Sequence, residues 1–111
     1  LSNVTAEALA EVYGFRELQR LYCSNNQLKQ LPDLPPGLQR LYCSNNQLNR
    51  LPDLPPGLQE LACSNNQLNQ LPDLPSGLQE LYCSNNPQLK PDAQARLRAY
   101  KKAHPTCTVT V

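Results

Sequence analysis

The chain has 111 residues, with ten basic and nine acidic side chains that leave a formal charge of +1. That balance gives no electrostatic reason to propose nucleic acid as a main partner, and no apolar run approaches the ~20 residues needed to cross a bilayer, so membrane insertion is not expected. The length fits one domain, and five cysteines, an odd number, do not pair into a complete disulfide framework.

Residues 1–17 read as an N-terminal helical cap or a truncated upstream repeat. The segment Val4–Tyr13 favours helix, with Asn3 or Thr5 as N-cap and Gly14 as stop. Three full repeats follow at 18–37, 38–57 and 58–77, and a partial fourth copy at 78–90 is interrupted by Pro87. The first reads LQRLYCSNNQLKQLPDLPPG, and the period is 20 residues without slippage.

Within each copy Leu21 and Cys23 alternate with Arg20, Tyr22 and Ser24, a period-2 pattern that predicts a short strand with the first pair inward. The rest cannot be helical. Pro32, Pro35 and Pro36 lack amide donors and hold their predecessors extended, so the return path is expected to be extended or polyproline-like, with a turn near Gly37. Equal copy lengths bring the strands side by side in parallel, ~4.8 Å apart. Leu18, Leu21, Cys23, Leu28, Leu31 and Leu34 are expected to point inward and stack on their equivalents. Asn26 stands where the chain leaves the strand. Its amide carries donors and an acceptor, so Asn26, Asn46, Asn66 and Asn86 are expected to form a ladder that satisfies the buried turn.

The residues 91–111 complete the chain. A helix is expected from Pro91 or Asp92 to His104, with Ala93, Leu97, Tyr100 and His104 on one face and Lys101 and Lys102 suiting its C-terminal end. Pro105 ends it. Thr106–Val111 alternates as a final strand with Cys107, Val109 and Val111 inward, pairing beside Leu81–Cys83.

The pattern LxxLxCxxNxL, filled by Leu18, Leu21, Cys23, Asn26 and Leu28, resembles the leucine-rich-repeat consensus. Its 20-residue form with LPxLPxxL on the return path is similar to bacterial leucine-rich repeats, those of type III secreted effectors of the ubiquitin-ligase class among them. The resemblance covers residues 18–91. It implies an α/β leucine-rich-repeat solenoid: a short parallel sheet on the concave face, an extended convex side and helical caps at both ends. Two departures stand out. Cysteine occupies the third strand position, where such effectors carry an aliphatic residue, and no ligase domain follows, so no catalytic function carries over.

The sequence points away from an enzyme. The single histidine, His104, has no nucleophile beside it and no paired carboxylates for acid–base work, and no cofactor motif is present. Cys23, Cys43, Cys63 and Cys83 form one column, and a line with one rung per ligand does not fit the tetrahedron of ~2.3 Å bonds that zinc demands, so no metal is expected. A core ladder of unpaired thiols favours a reducing compartment: a bacterial cytoplasm, or host cytosol for a secreted effector. Asp33, Asp53 and Asp73 read as carboxylates that cap turns between prolines.

The outward strand positions form a grid: Arg20, Arg40, Glu60 and Glu80 in one column, Tyr22, Tyr42, Ala62 and Tyr82 in the next. Tyrosine offers large contact area at low entropic cost. Ala62 is expected to leave a shallow gap between Tyr42 and Tyr82, with Arg40 and Glu60 at its rim. These eight residues are the candidate partner-binding set, and positions 29, 30, 49, 50, 69 and 70 form a second contact zone. The expected function is a non-enzymatic protein–protein recognition module that binds a protein on this face. The alternative is an engineered or structural repeat scaffold with no dedicated partner, since near-identical copies arise by consensus design as well as by duplication. A stack this short also leaves weak homodimerisation open.

Overall fold

The computed structural model describes residues 14–111; the helix expected over 4–13 lies outside the described residues. Gly14 adopts a left-handed conformation (φ 76°) and leads into a short 3-10 helix, Phe15–Glu17, which buries Phe15. Five parallel strands follow in the order β1 (Arg20–Tyr22), β2 (Arg40–Tyr42), β3 (Glu60–Ala62), β4 (Glu80–Tyr82) and β5 (Thr108–Thr110). The register follows the repeat. Leu21 sits against Leu41, Leu41 against Leu61, and Leu61 against Leu81. The chain is a leucine-rich-repeat solenoid.

The core is a set of columns. Leu41, Leu61 and Leu81, Leu38 and Leu58, and Leu48 and Leu68 are fully enclosed, as are Cys43 and Cys63. Two expected inward positions are only half-buried: Leu18, and the column Leu34, Leu54 and Leu74. Pro35 and Pro55 are buried instead. Their rings enter the core where the return path turns, and their carbonyls accept from Leu38 and Leu58 at 3.2 Å to close the turn. No helix or strand forms between positions 24 and 39.

Each coil is tied to the next by the asparagine ladder. Asn46 donates to the carbonyls of Cys23 (3.1 Å) and Cys43 (2.9 Å), and its oxygen accepts from the Leu28 amide at 3.1 Å. Asn66 repeats this on Cys43, Cys63 and Leu48, and Asn86 on Cys63, Cys83 and Leu68. Two supports were not read from the sequence. The preceding residues Asn25, Asn45, Asn65 and Asn85 are left-handed, with φ between 57° and 62°, a region asparagine enters more readily than most residues. Ser24, Ser44 and Ser64 supply the second support: each hydroxyl accepts from the amide of the next serine at 3.1 Å.

Helix α1 runs Pro91–Ala103, with Pro91 at its first position and the preceding Lys90 extended. Ala93, Leu97 and Tyr100 are buried. The helix lies against the third repeat's return path: Tyr100 donates its hydroxyl to the Pro75 carbonyl, and Arg96 bonds the carbonyls of Leu71 (2.9 Å) and Pro72 (3.3 Å) and the carboxylate of Asp73 (3.0 Å). Asp73 therefore holds the helix through Arg96 rather than capping a turn, and among the described residues no hydrogen bond joins the exposed Asp33 or Asp53 side chain to a turn. His104 caps the helix and stacks on Tyr100 with centroids 4.1 Å apart. The last strand is shorter than expected and begins at Thr108. Val109 pairs with Leu81 as anticipated, but Val111 is 70 % exposed rather than inward.

Candidate functional site

The strands alternate, so Leu21, Leu41, Leu61 and Leu81 enter the core and their neighbours face out. All eight candidate positions therefore fall on one sheet face. Arg20 pairs with Arg40, Arg40 with Glu60, and Glu60 with Glu80; in the next column Tyr22 pairs with Tyr42, Tyr42 with Ala62, and Ala62 with Tyr82.

The side chains on this face bind one another. Tyr22 and Tyr42 stack with centroids 4.7 Å apart at 25°. Tyr42 donates its hydroxyl to Glu60 Oε1 at 2.6 Å, and the other oxygen of Glu60 takes Arg40 Nε at 2.7 Å. Tyr82 donates to Glu80 of its own strand at 2.9 Å. Tyr22 is the most open ring, 49 % exposed, while Tyr42 and Tyr82 are half-buried. Arg40 and Glu60, expected as separate rim charges, form an ion pair. Ala62 makes room for this: with no ring in the third rung, the Tyr42 hydroxyl reaches across to Glu60 on β3.

The electrostatics follow from these bonds. The Tyr42 phenol is pushed up to about 12, first by its hydrogen bond to Glu60 and then by burial. The same bond holds the Glu60 carboxyl below its ordinary value, with Arg40 adding to the effect. Tyr82 is raised by its bond to Glu80.

The buried thiols are the other chemistry-bearing set. Cys23, Cys43, Cys63, Cys83 and Cys107 are all unpaired and buried. Burial pushes Cys23 and Cys83 up to about 11 and raises Cys43, Cys63 and Cys107 as well, which disfavours the reactive thiolate. Among the described residues, no three His, Cys, Asp or Glu side chains are grouped to hold a metal ion.

The second contact zone is also gathered. Positions 29, 30, 49, 50, 69 and 70 line one groove of about 510 Å³, joined by Lys90. The sequence could have flagged Lys90 only by allowing for the residue inserted near Pro87: the Lys90 amide bonds the Asn69 carbonyl as Asn69 bonds Asn49.

A family model for leucine-rich repeats, two copies to a unit, matches residues 16–56 and again 36–76, which together exceed half the chain. No curated protein and no solved structure matches it. Leucine-rich repeats are in general protein–protein interaction modules and typically non-enzymatic. No helix among the described residues is long and apolar enough to cross a membrane. Register, leucine columns and asparagine ladder agree with the family match, and the chain belongs to the leucine-rich-repeat family.

Proposed function

We propose that this chain recognises a protein partner on the outward face of its sheet, through Tyr22, Tyr42 and Tyr82 with Arg20, Arg40, Glu60 and Glu80 setting orientation. The observation that carries this reading is the tie from Tyr42 to Glu60 to Arg40 beside the Tyr22 ring. Ordering long side chains at an interface costs about 0.5–1.5 kcal/mol each, and here that ordering precedes contact. A basic first half and an acidic second half favour one docking orientation. Ala62 offers the lowest point of the tyrosine column.

The similarity of the repeats to those of bacterial secreted effectors supports a partner inside a cell, and five buried unpaired thiols support a reducing compartment. The test is a partner screen followed by affinity measurements on Tyr22→Ala and Tyr42→Ala. Each should weaken binding by about tenfold or more. A partner that binds both variants as tightly as the parent chain would overturn the assignment.

A further inference from the structure

Three cations that form no ion pair among the described residues face one groove. The Asn69 amide donates to the Asn49 carbonyl at 3.1 Å, and the Lys90 amide to the Asn69 carbonyl at 3.0 Å. Lys29, Asn49, Asn69 and Lys90 thus form a column across the coils, and Arg50 stands beside it in the groove of about 510 Å³. The ion pairs among the described residues use Arg40 and Arg96 and leave Lys29, Arg50 and Lys90 without a carboxylate. No acidic residue lines this groove; Asp33 and Asp53 border its neighbour, which Arg50 also touches. The rest of the lining is asparagine and glutamine, whose amides offer donors and acceptors alike. Helix α1 and strand β5 take no part in it.

We propose that this groove binds an acidic segment of another protein, extended across the coils, with a carboxylate at every second residue. Coils lie about 4.8 Å apart, so Lys29 and Lys90, three coils apart, are separated by about 14 Å along the stack. One phosphate or carboxylate does not bridge that span. An extended chain rises about 3.4 Å per residue and points alternate side chains the same way. Acidic residues at its first and fifth positions therefore match Lys29 and Lys90, and one at the third falls near Arg50. The lining amides serve the peptide backbone between them. Single-stranded nucleic acid fits less well, because no aromatic side chain lines the groove for bases to stack on. The groove shares no residue with the eight outward sheet positions, so neither reading depends on the other.

The experiment titrates the 111-residue chain into dye-labelled Glu-Ser-Glu-Ser-Glu and reads fluorescence anisotropy at low ionic strength. Saturable binding is expected, and it should weaken as salt screens the exposed charges. Arg50→Glu should weaken it about fivefold, by removing one attraction and adding a repulsion, and Lys29→Glu should act in the same direction. Circular dichroism checks the fold of both. Lys101→Glu, the same change of net charge on helix α1, should leave binding unchanged. The isomeric peptide Glu-Glu-Glu-Ser-Ser should bind several-fold more weakly. Equal affinity for the two peptides, or an equal loss in Lys101→Glu, would refute the proposal by showing attraction to net charge alone. So would a failure to saturate at about 1 mM chain. Oligothymidylate that binds more tightly than the peptide and is lost in Arg50→Glu would make the occupant nucleic acid. Self-association in sedimentation that Arg50→Glu abolishes would make it a second copy. Either result overturns the assignment.

Discussion

Tyr42 and Glu60 stand one rung and one column apart, and a 2.6 Å hydrogen bond joins them. The bond favours the protonated phenol, because a tyrosinate would lose the donor and face a carboxylate. Glu60→Gln should therefore bring Tyr42 back from about 12 toward the ordinary value of ~10. Spectrophotometric titration of tyrosinate absorbance checks this, with Tyr42→Phe identifying the transition. A titration unchanged by Glu60→Gln would show that the bond does not control the phenol.

The same bond makes stability depend on pH in one direction. Tyr42 in the folded chain has a raised value, so its contribution is fully present below the unfolded value of ~10 and is lost as pH climbs through about 12. Denaturation midpoints should fall over that window in the parent chain. In Tyr42→Phe the fall should be smaller, the other raised tyrosines and cysteines accounting for what remains.

Asn66 should be hard to replace, like its equivalent Asn46. Asn66→Ala removes the donor to the Cys43 and Cys63 carbonyls and the acceptor of the Leu48 amide, all buried. The Leu48 amide is left without its acceptor, at about 1–3 kcal/mol, while the Cys43 and Cys63 carbonyls keep Asn46 and Asn86 and each lose one donor, at about 0.5–1.5 kcal/mol, so a total loss of about 2 kcal/mol or more is expected in urea denaturation. That is a large share of the ~5–15 kcal/mol typical of a folded domain. A loss below about 1 kcal/mol would mean that water replaces the amide.

Native thiols should resist alkylation. With Cys23 and Cys83 near 11, the thiolate fraction at pH 8 is about a hundredfold below that of a thiol at the ordinary ~8.5–9. Cys43 and Cys63, more deeply enclosed, should react last. Iodoacetamide labelling followed by peptide mass spectrometry reads the order, and denaturant should make the five cysteines equivalent. Rapid labelling of Cys43 or Cys63 in the native chain would contradict a closed core.

Two turn positions should respond in opposite ways. Gly57 has no left-handed φ, and a Cβ there meets nothing within 4 Å. Gly57→Ala should be neutral or stabilise by up to about 1 kcal/mol, because it stiffens the unfolded chain. Asn65 is left-handed at φ 57°, and Asn65→Val should cost about 1–2 kcal/mol because a β-branched side chain fits that region poorly. Thermal melts of the two variants distinguish these outcomes.

The architecture could be read from one strand of text because the fold is periodic. A constant interval of 20 residues obliges like to stack on like, so Leu21, Cys23 and Asn26 had inward environments as soon as the strand was recognised. The final helix and the pairing of Val109 with Leu81 followed from alternation and helix spacing. What failed did so where periodicity ends. The sequence pattern of Val111 matches that of Val109, but Val111 lies past the end of the strand and is 70 % exposed. Leu34 matches the inward leucines, yet the adjacent Pro35 takes the enclosed place, because the direction of a side chain on an irregular path depends on turn geometry that no period describes.

The repeat by itself thus determined the parallel sheet, its register, the core columns and the asparagine ladder, since these depend only on residues an equal distance apart. Only the tertiary structure decided how the outward side chains engage one another. Whether Tyr42 meets solvent or Glu60, and whether Asp73 caps a turn or holds Arg96, depends on rotamers and reach between different coils. Those contacts are set by distances of a few ångströms across the stack, which a linear pattern of residue types does not contain.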